Sequence, residues 1–160
     1  MVNTDHPAVD RVRAALAEHG LTPEITWFEV GTPTAAAAAE ALGTTVGAIA
    51  NSLVFTLDGE PILVMTSGAH RVDTEWLGER LGGTIERASK DVVKEATGQT
   101  IGGVAPVGHP APVRTFVDVA LRQYEVLWAA AGHAHTVFPL SYAELLRVTG
   151  GTEVEVAPTA

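Results

Sequence analysis

Two apolar runs that meet at one tight turn constrain the fold of this chain more than any other feature. Residues 51–57 (NSLVFTL) and 61–66 (PILVMT) flank the pair Asp58-Gly59. An Asp-Gly pair between two apolar runs predicts a β-hairpin, because the favoured two-residue turn needs positive φ at its central positions. Both runs are apolar at nearly consecutive positions, so we expect other elements to cover both faces of this hairpin.

Segments with helical spacing surround the hairpin, and most of them begin at a capping residue and end at a glycine. Short polar residues accept hydrogen bonds from the first helical N–H groups, while glycine adopts the left-handed conformation that ends a helix. The predicted caps are Asp5, Thr32 (with Pro33 at the first helical position), Asp73, Ser89 and Ser141, and the predicted ends are Gly20, Gly43, Gly82, Gly98 and Gly150. We also expect one helical turn within residues 45–50.

Short strands are predicted between the helices, at residues 24–30, 84–87, 114–120, 125–131, 136–140 and 153–156. Hairpins and crossover helices alternate along the chain. This order predicts an α+β fold with a mixed, strongly curved sheet. The last strand alternates apolar and charged residues, which indicates a sheet edge and would permit a strand-paired homodimer.

The composition narrows the classes of function. A chain of 160 residues predicts a single domain over 1–160. Ten basic against nineteen acidic residues give a net charge of −9, which disfavours wrapping a nucleic-acid backbone, so we expect no DNA partner and at most a small contact with one end of a strand. The absence of cysteine excludes disulfides, cysteine-liganded zinc and thiol catalysis, and favours a cytoplasmic location. No apolar run approaches the length needed to cross a bilayer, and the N-terminus lacks the apolar segment of a signal peptide, so no membrane association is expected.

A glycine- and proline-rich stretch at residues 102–110 (GGVAPVGHP) is the first candidate for a binding element. Glycine lets a ligand approach the backbone, while proline fixes φ and removes a donor. Bare main-chain N–H groups held in a set shape suit a carbonyl, carboxylate or phosphate oxygen. A structural loop without a ligand is the alternative interpretation.

Several polar residues outside the loop invite more than one interpretation. His133 and His135 share one face of an extended segment; with His109 they would form a metal-dependent hydrolase site, although no recognised ligand spacing supports it. His133 alone is either a hydrogen-bonding group of a pocket or a structural histidine. Asp118, in the middle of a predicted strand, must face a cavity, pair with an arginine or lie at a solvated edge. Arg71 is a candidate phosphate ligand or an ordinary surface residue.

Four segments taken together resemble a known family. They are residues 51–55 (NSLVF), 67–72 (SGAHRV), 101–109 (IGGVAPVGH) and 130–133 (AAGH). Their order and spacing are similar to those of the YbaK/prolyl-tRNA synthetase-associated domain family of trans-editing deacylases, over residues 8–156. The resemblance implies a barrel-like mixed sheet with flanking helices. It also implies hydrolysis of the ester that joins a wrong amino acid to the 3′ end of a tRNA, without a cofactor or metal.

The resemblance also implies roles for particular residues. Amides of the glycine loop hold the aminoacyl carbonyl, the Gly-His segment lines the same pocket, and water or a group of the substrate attacks. On this basis Asn51, Gly103 and His133 are candidate catalytic residues. The candidate substrate-binding residues are Ser52, Ser67, Arg71, Gly102, Pro106, Gly108, His109, Asp118 and Gly132.

One position departs from the family pattern. Many deacylases of the family carry a lysine where this chain has Asn51, and an asparagine donates a hydrogen bond without bringing a charge. Arg71 or a histidine could replace that cation. Otherwise the chain is a binding module for aminoacyl-tRNA ends, or for a small amino-acid-like ligand, with weak or no catalysis. In either case the expected partner is the 3′ aminoacylated end of a tRNA, held by a small and weak contact.

Overall fold

A mixed β-sheet flanked by helices organises the chain in the computed structural model, which describes residues 6–28, 34–100 and 103–158. The helices are α1 (Pro7–Glu18), α2 (Ala35–Leu42), α3 (Thr74–Leu81), α4 (Lys90–Thr97) and α5 (Tyr142–Thr149). The strands are β1 (Thr26–Trp27), β2 (Ile49–Leu57), β3 (Glu60–Ser67), β4 (Ile85–Arg87), β5 (Arg114–Asp118), β6 (Leu127–Ala129), β7 (Thr136–Leu140) and β8 (Thr152–Val154). None of the described helices is both long and apolar enough to cross a membrane.

The eight strands of the described residues are ordered β1-β7-β6-β2-β3-β5-β8, and β4 pairs separately with β2. The pairs β2–β6, β3–β5 and β5–β8 are parallel, whereas β1–β7, β2–β3, β2–β4 and β6–β7 are antiparallel. The prediction of an α+β fold with a mixed sheet is therefore confirmed. The sheet is open, since β1 and β8 end the strand order, and β8 lies at the edge that its alternating sequence predicted.

The predicted hairpin is the centre of this sheet. Asp58 and Gly59 have φ of 51° and 86°, as the two-residue turn requires. Helices α1, α4 and α5 pack with Leu63 and Met65 in one apolar cluster, while α3 packs with Phe55 and Ile62 in a second. Both faces of the hairpin are thus covered, and α2 adds a third, smaller cluster around Ile49.

Most of the predicted helix ends are confirmed, including the capping box of Ser141 and Glu144 at the start of α5. The first two helices begin differently from the prediction. His6 caps α1, because its Nδ1 accepts a hydrogen bond from the N–H of Ala8 at 3.2 Å, and Thr34 caps α2. The predicted caps Asp5 and Thr32, together with Pro33, lie outside the described residues.

Several predicted strands are shorter in the structure. Of residues 24–30 only Thr26–Trp27 form a strand, with 29 and 30 outside the described residues, and of 125–131 only Leu127–Ala129 do. Residues 45–50 contain a single 3₁₀ turn, after which β2 begins at Ile49. Strand β5 ends at Asp118 rather than at residue 120, because this carboxylate caps a following 3₁₀ helix by accepting from the N–H of Ala120 at 2.9 Å.

Candidate functional site

A cavity of about 470 Å³ lies where strand β2 lacks a neighbour on one side. On that side β6 pairs only with Ile49 and Ala50, and β4 pairs only with residues 55–57. This volume is within the range of small-molecule sites. The cavity is lined by Thr34, Ala35 and Ala38 near α2; residues 49–55 of β2; Arg87, Ala88 and Val93 around β4 and α4; Val104; and Trp128, Ala130, Ala134, Thr136 and Val137 around β6 and β7.

Strand β2 contributes Asn51 and Ser52, two of the predicted site residues, to the lining of this cavity. The Asn51 side chain is half-buried and makes no hydrogen bond to any residue that the structure describes. The Ser52 hydroxyl is engaged, since its Oγ donates to Sδ of Met65 at 3.2 Å. A ligand in the cavity therefore meets an amide at Asn51 with both its donor and its acceptor available.

Arg87 supplies positive charge at the cavity, and the sequence analysis missed it. It ends β4, is exposed, and forms no ion pair within the described part of the chain. Arg71, which we considered as a replacement for the family's lysine, is exposed and does not line the cavity. The strand prediction at residues 84–87 was the available signal, but the pairing of that strand with β2 cannot be found in local sequence.

The glycine-rich loop forms one wall of the cavity through Val104. Gly103 packs so closely on the next segment that an added Cβ would lie 2.6 Å from the carbonyl carbon of His133 and 2.7 Å from the nitrogen of Ala134. Its own N–H donates to the carbonyl of Thr100 at 3.0 Å, so this amide is already used. Among the described residues, Val104 is the part of the loop that lines the cavity, and its N–H has no acceptor there; Gly102 lies outside the described residues.

Gln99 holds the shape of this loop, and no sequence signal pointed to it. Its side chain is only 1% exposed. Its Oε1 accepts from the N–H of Ala105 at 2.7 Å, and its Nε2 donates to the carbonyl of Val107 at 3.1 Å. A primary amide can bridge a donor and an acceptor in this way, but the residues it joins follow only from the folded path of the loop.

Four other predicted residues lie in or beside the loop without lining the cavity. Pro106 is buried; Gly108 and Gly132 pack against α1, where an added Cβ would come within 3.0 Å of Val12 and of Ala8, respectively. The Nε2 of His109 lies 2.9 Å from the carbonyl oxygen of Ala105, and burial lowers the pKa of His109 more than this bond raises it. These contacts hold the loop and its neighbour against α1.

His133 lies behind the cavity wall. Its ring centroid is 5.0 Å from His6, 5.0 Å from His135 and 5.3 Å from Trp27. Its Nδ1 accepts from the N–H of His135 at 3.0 Å, so the neutral ring carries its proton on Nε2. Burial, and then the neighbouring charges of His6 and His135, lower the pKa of His133.

The interpretation of these histidines as a metal centre gains no support. Across residues 6–28, 34–100 and 103–158, no group of three or more His, Cys, Asp or Glu side chains is placed to hold a metal ion. The three histidines of the proposed set, His109, His133 and His135, are therefore not arranged as a metal site. His133 touches the cavity only through its neighbours Ala134 and Thr136.

Asp118 and Ser67 belong to a buried polar cluster at the end of β3, and neither lines the cavity. One carboxylate oxygen of Asp118 accepts from the hydroxyl of Thr66 at 3.2 Å and the N–H of Ser67 at 3.1 Å, and lies 3.1 Å from Nδ1 of His70. The Ser67 hydroxyl donates to the carbonyl of Gly47 at 2.7 Å. The basic side chain that contacts Asp118 is thus His70 and not an arginine.

Comparison with known proteins places these features in a family. The aminoacyl-tRNA editing domain matches residues 29–148. The chain is 30% identical to the uncharacterized protein YwhH of Bacillus subtilis, over 84% of this chain and 86% of that protein. It is 33% identical to a proline–tRNA ligase of Maridesulfovibrio salexigens over 68% of this chain, a match that spans 16% of the ligase. A crystal structure assigned provisionally as a trans-editing enzyme for prolyl tRNA synthetase superposes with a TM-score of 0.91 and 34% identity, covering 98% of this chain and all of the other.

Proposed function

Because this chain belongs to the aminoacyl-tRNA editing domain family, we propose that it hydrolyses the ester between a mismatched amino acid and the 3′ end of a tRNA. One observation carries the proposal: polar groups of different kinds, each without a partner among the described residues, belong to residues that line one cavity. They are the side-chain amide of Asn51, the N–H of Val104 and the guanidinium of Arg87. Polar groups without partners in a folded protein are costly unless a ligand or water satisfies them.

The proposed reaction uses these groups to stabilise charge. A water oxygen attacks the ester carbonyl carbon, and the carbonyl oxygen becomes an oxyanion that accepts hydrogen bonds from the Val104 N–H and the Asn51 amide. The bond from the carbonyl carbon to the ribose oxygen then breaks, and the ribose oxygen takes up the proton that the attacking water loses, which releases the amino acid and a ribose hydroxyl. Donors preorganised around such an oxyanion are worth about 10²–10³ in rate each.

Arg87 takes the place of the family's lysine in this proposal. Its guanidinium is always charged and forms paired hydrogen bonds with phosphate oxygens. A substrate that ends in a nucleotide brings a phosphodiester next to the aminoacylated ribose. The cation therefore binds that phosphate, or stabilises the oxyanion, from β4 rather than from β2.

The direct test is release of amino acid from a panel of mischarged tRNAs, including proline tRNA charged with non-cognate amino acids because of the similarity to prolyl-tRNA synthetase relatives. We expect at least one member to be hydrolysed well above its rate in buffer. Arg87→Ala should lower kcat/KM about 10²–10³-fold. Arg122→Ala removes the same charge from an exposed position outside the cavity lining and serves as the matched control. No turnover of any member would overturn the proposal.

A second function, binding of aminoacyl ends without catalysis, is favoured by Asn51 itself. No lysine is among the described residues that line the cavity. A binding module predicts saturable binding of a non-hydrolysable aminoacyl-adenosine with no turnover of the panel. Asn51→Lys would then create hydrolysis, whereas in an active enzyme this substitution changes an existing rate.

A further inference from the structure

On its open side, strand β2 leaves both backbone groups of Ser52 without a partner among the described residues. Strand β3 pairs along residues 50–57 of β2, and on the opposite side the pairing with β6 stops at Ala50 while that with β4 starts at Phe55. A missing rung in the centre of a sheet is uncommon, because each N–H and C=O must find another partner. The cavity occupies the place of that rung.

The direction of the backbone groups follows from two flanking hydrogen bonds. The carbonyl of Ile49 accepts from the N–H of Gly68, beyond the end of β3, at 2.8 Å, while the carbonyl of Val54 accepts from the N–H of Ala88, beyond the end of β4, at 3.4 Å. In a strand the N–H and C=O of one residue point to the same side, and successive residues alternate. Ser52 therefore points its N–H and C=O in the same direction as Val54, into the gap.

Room for a ligand exists next to these two groups. Small residues, Ala88 on one flank and Ala130 on the other, line the cavity where the neighbouring strands stop. The Ser52 hydroxyl is used by Met65. What Ser52 offers to the cavity is thus its main chain: one donor and one acceptor, spaced as in any β-strand residue.

We propose that the substrate's own aminoacyl group fills the missing rung and pairs with Ser52 as a one-residue antiparallel β-bridge. An aminoacyl ester contains the unit N–Cα–C=O, the same atoms that a residue contributes to a sheet. Its α-amine donates to the Ser52 carbonyl, and its carbonyl oxygen accepts from the Ser52 N–H. This inference rests on the proposed function and deepens it, by assigning recognition of the amino acid's constant part to the backbone of β2.

The pairing has a consequence for specificity. Hydrogen bonds to the constant atoms of an amino acid hold every aminoacyl group alike, as they do when a peptide adds a strand to a sheet edge. Discrimination among amino acids then falls to the apolar side chains of the cavity. An acyl group without an α-amine loses one of the two bonds whatever its side chain.

Amide NMR on the full chain tests the gap before any ligand is added. The Ser52 N–H should exchange with solvent faster than those of Asn51 and Leu53, whose backbone groups point towards β3. Protection of Ser52 equal to theirs in the free protein would overturn the inference.

Titration with a panel of 3′-deoxy-3′-aminoacylamino-adenosines, whose amide replaces the labile ester, tests the bridge itself. We expect the Ser52 amide to shift and to become protected, and the des-amino 3′-propionylamino-adenosine to bind about tenfold more weakly than the alanyl probe. Shifts at Val104 and Ala134 without any at Ser52, or equal affinity of the two probes, would refute the bridge and leave the proposed function standing. No shift of any cavity amide with any probe would refute both.

Proline substitution separates the donor from the side chain. Ser52→Pro removes an N–H that has no acceptor among the described residues, so the chain should stay folded and lose at least tenfold in affinity for the probe that binds. Leu53→Pro removes an N–H on the β3 side and should destabilise the fold strongly. Unchanged affinity in a folded Ser52→Pro variant would contradict the inference.

Discussion

Two polar regions of the same sheet use their hydrogen-bonding groups in opposite ways. In the buried polar cluster at the end of β3, Asp118 accepts hydrogen bonds from Thr66, Ser67 and Ala120 and also contacts His70. At the gap in β2, the Asn51 side chain and the Ser52 backbone have no partner among the described residues. Residues of both regions were predicted as site residues, with Asn51 catalytic and Ser52, Ser67 and Asp118 substrate-binding. The comparison indicates that the satisfied region holds the fold, whereas the unsatisfied region is available for a ligand.

The largest expected effect is a loss of stability at the buried polar cluster around Asp118. Asp118→Ala leaves the Thr66 hydroxyl and the Ser67 N–H buried without an acceptor, which should lower the free energy of unfolding by about 3–5 kcal/mol. Asn51→Ala removes a side chain that bonds to none of the described residues and should change it by about 0.5 kcal/mol or less. Urea denaturation of both variants is the measurement. Equal free energies of unfolding for the two variants would contradict the conclusion that Asp118 holds the fold and Asn51 does not.

The next largest effect concerns the loop that faces the gap. Gln99→Leu keeps the volume but leaves the N–H of Ala105 and the carbonyl of Val107 unsatisfied, which should cost about 2–3 kcal/mol. Because Val104 belongs to the same loop, turnover should fall as well. Gln99→Glu keeps the acceptor for Ala105 and should lose less of both. A Leu variant as stable and active as the parent would show that the loop holds its shape without this side chain.

The smallest effect concerns two histidines outside both regions, His109 and His133. The folded state lowers the pKa of His109 and His133 below the ordinary value of 6.5. The unfolded chain therefore binds more protons as the pH falls below about 6.5, and stability decreases in that direction. For each histidine the slope is at most about 1.4 kcal/mol per pH unit, and for His133 it is smaller because solvent reaches the ring.

Unfolding between pH 7.5 and 5.5 measures this slope. His109→Gln and His133→Gln should each flatten it, and the change should be larger for His109, which has the stronger burial. A slope unaltered by both substitutions would mean that neither ring is held in its neutral form. Stability that rises towards acid pH would contradict the direction itself.

The features of the fold that could be predicted from sequence are mostly local. The Asp58-Gly59 turn, the cap of Ser141 and the ends at Gly82 and Gly98 were all predicted, since each depends on dihedral preferences or on hydrogen bonds within a few residues. The cover on both faces of the hairpin was predicted as well, because its apolar residues occupy nearly consecutive positions. The family resemblance, carried by segments 51–55 and 101–109, is confirmed by the match over residues 29–148.

Only the tertiary structure decided which polar residues have hydrogen-bond partners within the described part of the chain and which do not. Asp118 and Asn51 are both polar residues within strand sequences, and only the partners brought to Asp118 from β3 and the following turn make it structural. Arg87 reaches the cavity because β4 pairs with the far half of β2, and Gln99 matters because the loop folds back over it. Strand pairing and loop path join residues distant in sequence, so the local preferences of each segment cannot determine them.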